Sequence, residues 1–181
     1  MTRERRRRAD AERSRQLLLD AAGAVFATEG VSAPLDRIAR EAGIGNATLY
    51  RHFPTRQDLI VAVYSDEVQA LCERGAQLSS ASSPAAALFR WLRLFIDHVA
   101  GKRELALAVP EGRQSELFDG WHSAMHDTAK NLLSRAQRAG QIRTSITVLD
   151  LLTLANGIAL ATRDEEQIGR LLRTVRRGIA G

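Results

Sequence analysis

The chain has 181 residues, one cysteine and a formal net charge of +5, with a sequence pI near 10.3. That length suffices for one globular unit or two small helical domains, and the basic balance suits an acidic polymer as partner. Cys72, being single, excludes an intramolecular disulfide and fits a reducing compartment. No apolar run approaches the ~20 residues that span a bilayer. The basic N-terminus is not followed by the uncharged apolar core of a secretory signal, so the sequence reads as a soluble cytoplasmic protein without a membrane partner.

Residues 1–15 carry seven arginines, Arg3, Arg5, Arg6, Arg7, Arg8, Arg13 and Arg15, against Glu4, Asp10 and Glu12. Residues 1–9 are too charged and too poor in apolar groups to pack, and are expected to form a disordered basic arm. Two readings stay open for it: a solvated tail, or an arm that enters the minor groove of DNA. From Asp10 a helix with Leu17, Leu18, Ala21, Ala22, Val25 and Phe26 as its apolar stripe runs to Gly30. Leu35, Ile38, Ala39 and Ala42 keep helical spacing in the next element, which Gly43 closes because the turn needs a positive φ. A short helix follows over about Asn46–Phe53, burying Leu49 and Phe53, until Pro54 stops it. Thr55 with Asp58 three positions on forms a capping box for a long helix to about Leu78, shared by both halves of the chain. Residues 79–84, Ser-Ser-Ala-Ser-Ser-Pro, are the polar linker. Beyond it, further helices are expected at about 84–100, 104–109, 115–139, 147–162 and 164–178. No strand alternation, long repeat or sustained heptad pattern occurs. The expected fold is all-α with about nine helices: a three-helix unit over 10–64 and a larger helical domain over 65–181.

Two short helices joined by a glycine turn, the second small and rich in hydrogen-bonding groups, form a helix-turn-helix that offers its second helix to the major groove. In that geometry Asn46 suits adenine, Arg51 reaches guanine, and the Ala47 methyl meets a thymine methyl. Gly45 allows close backbone approach. Arg37 adds a phosphate or base contact, and Arg56, in the first turn of the following helix, faces a phosphate. Gly43-x-Gly45 is no dinucleotide fingerprint, because Thr48 replaces the third glycine and a helix precedes it.

The run AREAGIGNATLYRHFPTRQDLIVAVY, residues 39–64, resembles the DNA-binding signature of the TetR family of transcriptional regulators, a likeness extending from about Ser14 to Tyr64. Residues 121–173 are similar, more loosely, to the C-terminal domain of actinobacterial regulators of that type. The resemblance implies that Thr48, Tyr50 and His52 hold the DNA backbone. The family often has a basic base-contacting residue where this chain has Asp36, which shifts weight to Arg37 and Arg51. It also implies an effector cavity and a dimer surface in the C-terminal half.

A single helix-turn-helix makes too few contacts for the ~10⁻⁸–10⁻¹¹ M affinity of specific sites, so such units work in pairs. The helix over 148–161 is apolar nearly all round. With the last helix it is the expected dimer surface, through Leu151, Ala155, Ile158, Ala159, Ile168, Leu172 and Val175. Trp91, Phe95, Phe118, Trp121, Met125, Leu132 and Asn156 are expected to line the effector cavity, Asn156 because an amide on an apolar helix needs a partner. Asp119, His122 and His126 fall at i, i+3 and i+7, a spacing open to a metal ion, with His98 as a fourth ligand; a solvated face explains it equally. Neither a nucleophile arrangement nor a phosphate loop is present, so no enzyme and no cofactor is expected. The expected function is a homodimeric DNA-binding regulator, a repressor released from a palindromic double-stranded operator by a small-molecule effector. The alternative is a helical metal or ligand sensor acting through a protein partner.

Overall fold

The computed structural model describes residues 3–108 and 111–181, with the side chains of residue 3, 102–107 and 111–117 outside that description. Eight helices account for the described fold: α1 (Arg3–Glu29), α2 (Leu35–Glu41), α3 (Asn46–His52), α4 (Arg56–Leu78), α5 (Pro84–Leu107), α6 (Glu111–Arg138), α7 (Val148–Ala161) and α8 (Glu165–Ile179). No strand occurs among the described residues. One isolated antiparallel bridge, Ile142 with Ala180, ties the C-terminal end to the turn after α6.

The helix count falls one short of expectation because 104–107 continues α5. Gly101 is the only weak helix former at the junction, and a lone glycine costs only ~1 kcal/mol against a packed helix. Val109, the end of the expected short helix, lies outside the described residues. At the other end, helix replaces most of the expected disordered arm: α1 begins at Arg3, and residues 1–2 lie outside the description. Once the α1 core segment is nucleated, each upstream residue adds a hydrogen bond without a new nucleus, and Arg8 pairs with Glu4 at 2.8 Å. The buried stripe of α1 is Leu18, Leu19, Ala22, Val25 and Phe26, while Leu17 faces outward at 42% exposure.

The chain divides into two compact units, Met1–Asp66 with Lys102–Gln114, and Glu67–Gly101 with Ser115–Gly181.

In the first unit α1, α2 and α3 enclose Leu18, Ile38, Leu49 and Leu59, all fully buried. The capping box at Thr55 is formed in both directions, the Thr55 hydroxyl accepting from the Asp58 amide at 3.1 Å and the Asp58 carboxylate accepting from the Thr55 amide at 3.1 Å.

In the second unit α4 passes close to its neighbours at Gly75. A Cβ there would overlap Thr128 Cγ2 and sit 3.0 Å from Trp91 Nε1. That indole donates to the Leu71 carbonyl at 3.0 Å inside the core. Helix α7 starts with a second capping box, Thr147 with Asp150, and the two Thr147 hydrogen bonds hold the Asp150 carboxyl below the usual carboxylate range. α7 buries Leu151, Ala155, Ile158 and Ala159 within its own chain. Its outer face carries Leu149 (70% exposed), Thr153, Asn156, Gly157 and Leu160 (64% exposed).

Candidate nucleic-acid interface

The turn between α2 and α3 is made by backbone groups. Gly43 has φ +66, its amide donates to the Arg40 carbonyl at 3.1 Å, and the next amide, Ile44, donates to Ala39 at 2.9 Å. This pair of bonds is the Schellman closure, and it needs the left-handed conformation that glycine supplies. Gly45 differs: its φ is −69, and a Cβ there would meet nothing within 4 Å. The fold does not require a glycine at 45, so the open space above it is available to something outside the chain.

Helix α3 turns Leu49 inward, and Phe53, its C-cap, is buried as well. Everything else on α3 looks out. Asn46, Ala47, Tyr50 and Arg51 are exposed, Thr48 and His52 half-buried. The polar groups of this face hold one another. Asn46 Nδ2 donates to Asp36 Oδ1 at 2.9 Å. Arg51 donates through Nη2 to Thr48 Oγ1 at 2.7 Å and through Nε to the Ala47 carbonyl at 3.2 Å. Arg37 lies 3.7 Å from Glu29 across an exposed ion pair. Asp36, an acid where the family often has a basic residue, accepts from Asn46 and so orients it. A carboxylate only accepts, so the amide must present its nitrogen to Asp36. Its oxygen and second N–H stay free.

Arg56 is engaged within the chain. Its Nη1 donates to the carbonyls of Val31 (2.9 Å) and Ala33 (2.6 Å), and the side chain is half-buried. The guanidinium clamps the α1–α2 turn from a position more than 20 residues along the chain. Position in the first turn of α4 suggested a phosphate contact. Two carbonyls take Nη1 only, and a guanidinium carries five N–H donors, so this clamp and a phosphate contact are compatible.

The other expected sites lie in the second unit. Trp91, Phe95, Trp121, Met125 and Leu132 are buried there. Trp91 stacks on Phe95 at 5.6 Å between ring centroids, and Phe118 meets Trp121 edge-on at 5.4 Å. Asn156 does not join them, because it is exposed on the outer face of α7. A surface hollow of about 210 Å³ lies at the α4–α5 turn, lined by Leu78, Ala81, Ser82, Ser83, Ala87 and Arg90 among others, and none of the expected cavity residues borders it. The expected dimer residues Leu151, Ala155, Ile158, Ala159 and Ile168 are core of the chain itself, at 1–8% exposure, while Leu172 and Val175 are half-buried. An all-round apolar helix carries no sequence signal for which side its own chain covers.

Among the described residues no three His, Cys, Asp or Glu side chains gather as metal ligands. Asp119, His122 and His126 are all exposed; Phe118 packs against His122, and His126 lies 3.7 Å from the adjacent Asp127. His98 is buried, with Nδ1 4.0 Å from Glu67 Oε2, a pairing the sequence does not announce.

A closed glycine turn and a short helix that buries Leu49 and turns a small, polar face outward define a helix-turn-helix DNA-binding protein. Comparison with known proteins is in accord. Residues 18–63 match the model of bacterial regulatory proteins of the tetR family, and residues 83–181 match that of the SbtR-like transcriptional regulator C-terminal domain. The chain belongs to the TetR family of transcriptional regulators and is not an enzyme. It is similar to the TetR transcriptional regulator SCO0520 from Streptomyces coelicolor, with 38% identity, a TM-score of 0.81 and coverage of 92% of this chain and 98% of that one. A TetR regulatory protein from Mycobacterium vanbaalenii shares 34% identity at a TM-score of 0.81, over 96% of this chain and 99% of its own. The HTH-type transcriptional regulator SrpR of Pseudomonas putida is 41% identical over 68 residues, which span 37% of this chain and 32% of that regulator. The curated relative is thus matched over about a third of its length, while the solved structures are matched over nearly all of theirs. No helix among the described residues is long and apolar enough to cross a membrane.

Proposed function

We propose that this regulator is a cytoplasmic homodimeric repressor that leaves a palindromic operator when a small-molecule effector binds. The carrying observation is the outward face of α3, built of Asn46, Ala47, Thr48, Tyr50, Arg51 and His52 over a buried Leu49. Asn46, held by Asp36, reads an adenine edge, and Arg51 exchanges its internal bond to Thr48 for a guanine. Thr48, Tyr50, His52 and Arg37 grip phosphate, and Gly45 lets the backbone come close. Arg56 supports this surface by holding the α1–α2 turn.

Dimerisation is assigned to the outer face of α7. Leu149 and Leu160 are large apolar groups left in water, with Thr153, Asn156 and Gly157 between them and half-buried Leu172 and Val175 on α8. A second copy of the chain would cover them and supply the second half-site reader that specific affinity requires. The effector reading rests on two aromatic pairs in the second unit, Trp91 with Phe95 on α5 and Phe118 with Trp121 on α6, and on buried Met125. A ligand that binds one α4 setting better than another shifts operator affinity by that difference, because α4 runs unbroken through both units. Selection of bound duplexes from random DNA tests the proposal. A recovered palindrome is the expected result, and retention without sequence preference would refute it.

A further inference from the structure

Resting on the DNA-binding reading above, we propose that the N-terminal turns of α1 are a second DNA-contacting element: a basic helix that lies along the phosphates flanking the site read by α3. Residues 4–13 are exposed at every position, although they are helical. Glu4 pairs with Arg8, and Glu12 lies 4.0 Å from Arg15. No carboxylate among the described residues pairs with Arg5, Arg6, Arg7 or Arg13. Such a segment has no packing reason to be there, and its arginines repel one another at the end of a helix whose dipole already disfavours cations. A polyanion would relieve both costs.

This segment of α1 extends from a point beside the reading head. Arg15 stacks over the ring of Phe53, the C-cap of α3, at 5.8 Å, and Gln16 donates to Asp66 at 3.3 Å. From that anchor a rise of ~1.5 Å per residue carries Arg6 roughly 13 Å outward, past several of the phosphates that DNA spaces at ~1.7 Å of axis per charge. Being helical also decides the mode of contact. A helix with side chains is ~10–12 Å across and the minor groove only ~6 Å wide, so the segment cannot enter that groove as an extended arm would. It meets backbone, and its contribution is independent of flanking sequence. The segment has no large apolar residue, only Ala9 and Ala11, so it offers no face to a lipid surface.

The test uses a duplex selected by the full chain from random DNA, made in two lengths: the selected site alone, and the site with roughly one more helical turn, about 10 bp, on each side. Affinity is measured across a salt series for wild type and for the triple variant Arg5→Gln, Arg6→Gln, Arg7→Gln. For wild type, the flanks should raise affinity and steepen the salt dependence, whether they are A·T-rich or G·C-rich. The variant should lose both gains, its slope falling by ~0.9 per phosphate contact removed, while it still prefers the selected site to a scrambled one. An unchanged slope in the variant overturns the proposal, as does a gain confined to A·T-rich flanks. Loss of site preference by wild type itself would instead strike the underlying reading of α3.

Discussion

Asp36 offers a sharp test of how α3 is prepared for DNA. The Asn46 amide gives one N–H to Asp36 at 2.9 Å, which leaves the other N–H and the oxygen for the two edge groups of an adenine. Asn46→Ala should therefore cost ~1–3 kcal/mol of discrimination at one symmetric operator position, the value of a bidentate base contact. Asp36→Ala leaves the amide in place but free to rotate. Ordering one such side chain costs ~0.5–1.5 kcal/mol, so discrimination at the same position should fall roughly 2- to 10-fold. Total affinity can move the other way, since a carboxylate facing phosphates is removed. The measurement must therefore be the ratio of affinities for operator duplexes with the matched and the substituted base pair, in a double-mutant cycle. In the Asn46→Ala background, Asp36→Ala should leave that ratio unchanged, because nothing remains to be oriented. If Asp36→Ala lowers the ratio equally in both backgrounds, or not at all in the first, the orienting role is wrong.

Four further outcomes are expected. Tyr50→Phe should weaken binding to all DNA sequences about equally, seen as an unchanged selected motif at lower affinity; a changed motif would move Tyr50 to the base-reading set. Gly75→Ala should destabilise the fold by about 1–3 kcal/mol in urea titrations despite the better helix propensity of alanine, because the new methyl displaces Thr128 and strains the buried Trp91–Leu71 bond; Thr128→Ser, which removes the obstructing Cγ2, should recover part of the loss. Leu160→Glu should give a folded monomer by ultracentrifugation with weak operator binding, whereas Ala159→Glu, buried at 6% exposure, should unfold the second unit; a dimeric Leu160→Glu would exclude the outer face of α7. Because Thr147 holds the Asp150 carboxyl below its ordinary range, the cap contributes at neutral pH and is lost as pH falls through that lowered value; Asp150→Asn should therefore reduce the acid sensitivity of stability, measured as the difference between urea midpoints at neutral and acid pH.

The helix-turn-helix is legible in linear sequence because every device that makes it is local. Gly43 closes α2 through bonds to Arg40 and Ala39, Thr55 and Asp58 cap α4, and Ile38, Leu49 and Phe53 keep helical spacing, all within some twenty residues. Each is a choice of residue that the neighbouring backbone enforces, so the pattern carries the structure with it. What the tertiary structure alone decided lies where a group had competing partners far along the chain. Arg56 reads only as a phosphate ligand, and nothing in its neighbourhood along the chain shows that it also holds the carbonyls of Val31 and Ala33. Asp36 reads as a departure until Asn46 turns its amide toward it. Residues of α7 are apolar on nearly every side, so composition says only that the helix is covered. Packing against its own chain buries Leu151, Ala155 and Ala159 and leaves Leu149 and Leu160 outside. The first arginines cannot pack on their own, yet a helix grows from its packed neighbour at one hydrogen bond per residue and takes Arg5–Arg8 with it. Local rules specify how an element starts, turns and stops; which of its faces meets protein and which meets water or DNA is settled only when the rest of the chain closes around it.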